Sequence, residues 1–151
     1  MKKTLKRDAR SDKCKPMNES DWEVLRAEAR KVRERAHSPY SGFAVGAALL
    51  TRSGKVFTGC NVENISFGLT ICAERAAVFA AVAAGEREFL AIAVVADSRE
   101  PVSPCGACRQ VLAEFAPKLD FSLSNLAGLE ERTTLAVLLP RATVGILDRR
   151  E

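Results

Sequence analysis

Two short runs constrain this chain more than anything else in it: Cys72-Ala73-Glu74 and, thirty-three positions on, Pro104-Cys105-Gly106-Ala107-Cys108. Three thiols and one carboxylate in this pattern suit a catalytic zinc site. Three protein ligands leave the fourth tetrahedral position for water, and a non-ligand Glu beside them can move protons. The expected ligands are Cys72, Cys105 and Cys108, holding one Zn2+ per chain, with Glu74 as the catalytic proton carrier. The pattern also restricts the fold, because each run opens a helix. Cys72 and Glu74 share the first turn of one helix, Cys105 and Cys108 lie three apart on one face of the other, and the two helix starts must meet. A helix N-terminus lowers a Cys pKa through its free N–H groups and dipole, which favours the metal-binding thiolate. Two alternatives stay open on these residues alone. Cys105-Gly106-Ala107-Cys108 before a helix also fits a thioredoxin-type thiol redox pair. A structural-zinc module is the other, although it would need a fourth Cys or His that the two runs do not supply.

The rest of the sequence supplies one domain around these starts. At 151 residues the chain is long enough for one core and short for two. Ser20 and Glu23 make a capping-box pattern, and Trp22, Leu25, Ala29, Val32 and Ala36 follow at helical spacing, ending before Pro39. Residues 44–51 and 55–60 predict two strands joined by a turn at Arg52-Ser53-Gly54. Residues 71–84 predict a helix ended by Gly85, and 90–96 a strand apolar enough to be covered on both faces. Residues 105–115 predict a third helix, stopped by Pro117, and 121–123 and 134–139 two further strands. That order predicts an α/β fold, a three-layer sandwich with helices on both faces of one sheet. In the helix 71–84 the only charged residues are Glu74 and Arg75, so it is apolar nearly all round and needs cover from other subunits.

The net charge of +4 is unevenly placed. Residues 1–16 carry seven Lys or Arg against Asp8 and Asp12, a net +5, and the remainder carries −1. Residues 1–16 are therefore expected to be a basic, disordered tail, with 17–151 as a single domain. A slightly acidic domain argues against a nucleic-acid partner. No run approaches the roughly eighteen apolar residues of a membrane span, and the basic start lacks the apolar stretch of a secretory signal. The expected compartment is the cytoplasm, where the cysteines read as metal ligands or free thiols rather than disulfides. Cys14 is read as a free thiol in the tail and Cys60 as a small apolar residue closing a strand. His37, in a Ser-Pro-flanked loop, is expected at the surface. Zinc with three thiolates carries −1, so nearby cations are needed; Arg75 and Arg109 each follow a ligand run and are expected to donate hydrogen bonds to the sulfurs.

Four ordered motifs then carry a resemblance. Ser38-Pro39-Tyr40-Ser41-x-Phe43-x-Val45-Gly46-Ala47-Ala48, Gly59-Cys60-Asn61-Val62-Glu63-Asn64, Cys72-Ala73-Glu74-Arg75 and Pro104-Cys105-Gly106-x-Cys108-Arg109-Gln110-Val111 resemble the short, three-Cys, homotetrameric cytidine deaminases over about Ser20 to Pro140. The resemblance implies a five-stranded mixed sheet, a free pyrimidine nucleoside as substrate, a place in pyrimidine salvage, and an active site completed by neighbouring subunits. It further implies that Asn61 and Glu63 hold the ribose hydroxyls, that Phe43 packs against the base, and that the backbone of Ala73 reads the base carbonyl. Independently, an amide and a carboxylate two apart at a strand end point the same way and can share a diol as donor and acceptor. In the implied reaction Glu74 takes a proton from the attacking water, delivers it to N3 of the cytosine ring, and then protonates the departing amine. One carboxylate serves as base and acid, and no histidine is needed. Phe67 and Thr143 stand where the family pattern has a tyrosine and an aromatic. Deamination of a modified cytosine nucleoside or a nucleoside antibiotic is accordingly the sibling reading.

Overall fold

Alternating apolar residues on two strands set up the layers. A computed structural model describes residues 16–142. In it, β1 (Val45–Thr51) and β3 (Phe89–Ala96) pair antiparallel at the centre of the sheet. Because successive side chains leave opposite faces, Ala48, Leu50, Ala91, Ala93 and Val95 pack on one side with Trp22, Leu25 and Ala29 of α1 (Glu19–Arg33). Ala47, Leu49, Ile92 and Val94 pack on the other, with Ala77, Val78 and Ala81 of α2 (Ala73–Ala83) and Leu112 of α3 (Gly106–Phe115). Two faces covered by helices make the three-layer α/β sandwich that the element order predicts.

The five strands run in the order β2-β1-β3-β4-β5, with β2 at Val56–Cys60, β4 at Asp120–Asn125 and β5 at Glu130–Thr134. Among the described strands only β3 and β4 run parallel, and the other neighbours are antiparallel, so the sheet is mixed. The edge strand β5 reads Glu-Glu-Arg-Thr-Thr and is polar throughout, a composition that discourages edge-to-edge pairing. It is tied to α1 by charge. Arg26 donates to Glu19 at 2.6 Å and to Glu130 at 2.7 Å, Arg132 bridges Glu130 and Glu19, and the Arg132 guanidinium lies 4.3 Å from the centre of the Trp22 ring.

One glycine sets the distance between sheet and helix. A Cβ on Gly59 of β2 would lie 2.4 Å from the Ala73 carbonyl oxygen and 2.4 Å from the Ala77 nitrogen. Only a residue without a side chain lets the two backbones come this close.

Several boundaries differ from the sequence reading. The capping box of α1 is made by Asn18 and Asp21 rather than Ser20 and Glu23: Asn18 Oδ1 accepts from Asp21 N–H at 2.9 Å and Asp21 Oδ2 accepts from Asn18 N–H at 3.3 Å. The helices expected over 71–84 and 105–115 begin one or two residues later, at Ala73 and Gly106, with Cys72 and Cys105 in extended conformation as their N-caps (ψ 157° and 164°). Gly85, at φ 89°, ends α2 as expected. The segment 134–139 is not a strand. β5 ends at Thr134, whose hydroxyl accepts from Val137 N–H and caps a single turn, α4 (Leu135–Leu138), that drives Leu135 into the core. Cys14, almost all of the expected basic tail, and Thr143 lie outside the described residues.

Candidate metal centre and active site

The starts of α2 and α3 meet as their spacing requires. The sulfurs of Cys72, Cys105 and Cys108 all lie within 4.8 Å of one another, and those of Cys72 and Cys105 are 3.8 Å apart. Tetrahedral zinc with Zn–S bonds of about 2.3 Å needs sulfurs roughly 3.8 Å apart, so the three residues fit that ion. Neither cap sulfur bonds the N–H groups of its own helix, which leaves both free for a ligand. The thiols are also polarised. Without a metal, Cys72 is drawn down to about 5, first by a hydrogen bond from Cys108 and then by Arg75 and Cys105, against the opposing effect of burial. Cys108, which keeps the shared proton and is buried, is pushed up.

Arg75 and Arg109 part company. Arg75 Nη2 donates to the Cys72 sulfur at 3.5 Å and to the Thr70 carbonyl at 3.2 Å, as expected of a cation that offsets thiolate charge. Its bond to Cys72 lifts its pKa further above the ordinary value, and Nε is buried with no hydrogen-bond partner among the described residues. Arg109 is a correction. Nε donates to the Pro104 carbonyl at 2.7 Å and Nη1 to the Leu138 carbonyl at 3.0 Å, so it braces the turn before Cys105 against α4 instead of touching sulfur.

Glu74 sits beside the cluster on the first turn of α2, 5% exposed. Burial pushes its carboxyl up to about 6, and the negative charge on Cys72 adds to the effect. A carboxyl so placed is chemically suited to exchanging a proton near neutrality. Ala73, fully buried, is the first residue of α2, where helix geometry leaves N–H groups without intrahelical acceptors.

The remaining expected residues gather on the loop after α1. Asn61 follows β2 and turns inward: Oδ1 accepts from Val45 N–H at 2.8 Å and Nδ2 donates to the Phe43 carbonyl at 2.8 Å. The Glu63 carboxylate turns to the same loop and accepts from the N–H groups of Tyr40 and Ser41 and from the Ser41 hydroxyl. Phe43 is 39% exposed beside them, and Phe67 meets Tyr40 edge-on with ring centroids 5.5 Å apart. His37 is exposed, as expected, and Cys60 closes β2 with its thiol donating to the Arg35 carbonyl. Sequence reasoning missed Ser41. The available signal was a serine two residues before Phe43, the spacing of a hydroxyl-to-backbone turn.

The contact between β2 and α2 at Gly59 brings the two halves together, the metal ligands with Glu74 on one side and residues 61–63 on the other. A cavity of about 440 Å3 lies elsewhere, lined by Met17, Phe89, Phe115, Lys118 and Asp120 among others, and none of the site residues lines it.

Residues 19–121 match the family described as the cytidine and deoxycytidylate deaminase zinc-binding region. The chain is 56% identical over 123 residues to a cytidine deaminase of Sporosarcina psychrophila, an alignment that covers 81% of this chain and 90% of that one. A crystal structure of cytidine deaminase from Burkholderia pseudomallei is similar with a TM-score of 0.76 and 53% identity, covering 78% of this chain and 95% of that one. A blasticidin-S deaminase of Bacillus cereus is 34% identical over 104 residues, covering 64% of this chain and 74% of that one.

Proposed function

The chain belongs to the cytidine and deoxycytidylate deaminase family, and on that premise we propose that it hydrolyses free cytidine and deoxycytidine to uridine and deoxyuridine with release of ammonia. The observation that carries this reading is the three-sulfur cluster with a buried, upshifted Glu74 beside it. Cys72, Cys105 and Cys108 would hold zinc, which when bound would supply Lewis-acid activation of a water. Glu74 takes a proton from the attacking water and passes it to N3 of the base, then takes the proton of the hydroxyl added at C4 and gives it to the departing amine, which leaves as ammonia. Arg75 offsets the excess negative charge of three thiolates through its bond to Cys72. The Ala73 N–H, at the positive end of α2, suits the carbonyl of the base. Phe43 packs against the ring, while Asn61 and Glu63 hold the ribose hydroxyls. Arg109 supports the Cys105 turn.

Residues 17–151 form one deaminase domain in this reading, and residues 1–16 are a dispensable tail. The enzyme assembles as a homotetramer whose neighbouring subunits complete each site. The support is apolar surface: Phe79 on the outer face of α2 is 49% exposed, and Ile65, Phe67 and Leu69 beside the site are 81%, 72% and 65% exposed. A sedimentation mass of one chain would overturn the assembly. A reducing cytoplasm keeps three ligand thiols available, and the product nucleoside places the activity in pyrimidine salvage.

The test is ammonia release by zinc-loaded protein across cytidine, deoxycytidine, modified cytosine nucleosides and blasticidin S. Turnover of cytidine or deoxycytidine with the highest kcat/KM supports the reading. Preference for the antibiotic would favour the sibling activity, to which the phenylalanine at position 67 and the Bacillus cereus relative lend weight.

A further inference from the structure

Residues 38–43 lie outside every helix and strand, so something other than a strand ladder must fix their shape. His37 is held by the backbone, its N–H donating to the Asn61 carbonyl at 3.0 Å and its carbonyl accepting from Glu63 N–H at 2.8 Å. Beyond it the Glu63 side chain takes over. Oε2 accepts from Tyr40 N–H at 2.9 Å and Ser41 N–H at 3.2 Å, and Oε1 accepts from the Ser41 hydroxyl. That hydroxyl in turn accepts Phe43 N–H at 3.0 Å, and the Phe43 carbonyl accepts from Asn61 at 2.8 Å. The directions are unambiguous, because an ionised carboxylate only accepts and a backbone N–H only donates. Proton donation therefore runs from Phe43 to Ser41 to Glu63, and bonds in series strengthen one another. The Ser41 hydroxyl also heads the interactions that hold the Glu63 carboxyl below the ordinary glutamate range. With three hydrogen bonds made, Glu63 keeps an acceptor site for a sugar hydroxyl.

We infer that Ser41 is a positioning residue for nucleoside binding, its hydroxyl holding the Glu63 carboxylate and the Phe43 backbone in one fixed relation. The inference rests on the proposed roles of Glu63 at the sugar and Phe43 at the base. Sugar and base are then recognised by one hydrogen-bonded unit rather than by two independent contacts. Damage at the serine falls on binding, not on the chemical step at Glu74.

Steady-state kinetics of zinc-loaded wild type, Ser41→Ala, Ser41→Thr, Glu63→Ala and the Ser41→Ala/Glu63→Ala double variant test this. Ser41→Ala should raise KM for cytidine about ten-fold, the factor for one lost hydrogen bond to a charged group. The kcat should stay within about two-fold, and Ser41→Thr, which keeps the hydroxyl, should recover the wild-type KM. On the Glu63→Ala background the serine substitution should change KM by less than about two-fold, because its partner is gone. An unchanged KM in Ser41→Ala, full additivity in the double variant, or a defect that threonine does not repair would each overturn the inference while leaving the activity standing. No cytidine turnover by the wild type would remove the functional reading, and this inference with it.

Discussion

Replacing Gly59 by alanine should move the cysteine cluster and Glu74 away from Asn61 and Glu63. The added Cβ would lie 2.4 Å from Ala73 O, 2.4 Å from Ala77 N and 2.8 Å from Ala76 C. The first two are the carbonyl and N–H that pair in the i to i+4 pattern of α2, so the methyl would sit against a helix hydrogen bond. Ordinary carbon contacts begin near about 3.5 Å, so α2 must retreat by roughly 1 Å or lose that bond. Overpacking of this kind costs about 1–3 kcal/mol. Alanine in a strand would otherwise return about 0.5–1 kcal/mol over glycine, which leaves a net loss of roughly 1–2 kcal/mol. For a chain of this size that is a fall in Tm of about 2–8 °C. The catalytic loss should be larger, because α2 carries Glu74 and follows Cys72 while residues 61–63 follow β2. A 1 Å misplacement of reacting groups costs on the order of a hundred-fold, here in kcat/KM for cytidine. Thermal melts, zinc content and kcat/KM on one preparation decide the matter. A Tm within about 1 °C of wild type together with kcat/KM within about two-fold would show that the methyl is absorbed, and that this contact does not set the spacing.

Other perturbations separate the parts of the site. Glu74→Gln should keep zinc and fold but lower kcat by about 10²–10⁴, since the amide cannot carry the proton; a kcat within a few-fold of wild type would remove the acid–base role. Cys72→Ala should lose zinc and activity together, and chelation of the wild type should lower its Tm; a zinc-free Cys72→Ala protein with full turnover is the refuting result. Arg132→Ala should cost about 1 kcal/mol through the lost ion pairs and the contact with Trp22, with kinetics unchanged. Burial alone would raise the Glu130 carboxyl, but bonds from Arg132 and Ser122 and the charges of Arg132 and Arg26 hold it below its ordinary 4.5. That depressed value means its contribution is full above pH 4.5 and disappears as pH falls through the lower folded value, so the Tm gap between wild type and Arg132→Ala should narrow on acidification. A gap that widens in acid would contradict the assignment.

The metal cluster was legible because ligation leaves its mark in residue type and spacing, and a helix start at each run follows from elementary helix geometry. The core strands were legible for a similar reason: β1 and β3 bury both faces and read as apolar runs. Elements held by polar contacts were harder to read. β5 has no apolar alternation and exists because β4 offers it a partner, while β4 extends beyond its apolar residues because Asp120, Ser124 and Asn125 continue the pairing with Ala91, Val95 and Ala96 of β3. The run from Thr134 to Leu139 is short enough to fit strand or helix, and the Thr134 hydroxyl at the start of α4 decides for a turn. Two capping boxes were available two residues apart in almost the same stretch, and periodicity could not choose between them. Arg109 was misassigned because adjacency in sequence says nothing about which way a long side chain reaches, and Leu138 is far along the chain.

Cys72 and Cys105 occupy the two cap positions where Ser, Thr, Asp or Asn would close a helix, and neither sulfur does so. A good cap is worth about 1 kcal/mol, so α2 and α3 each begin at a residue suited to ligation and poor at starting a helix. The trade is favourable only while a metal repays it. In a lineage that ceased to use the reaction, exchange of either cysteine for serine or aspartate would raise stability at once, and no selection would oppose it. These two caps should thus be among the first positions to drift in a descendant that keeps the fold and abandons the chemistry, and cysteine retained at both is a sign that the chemistry is still in use.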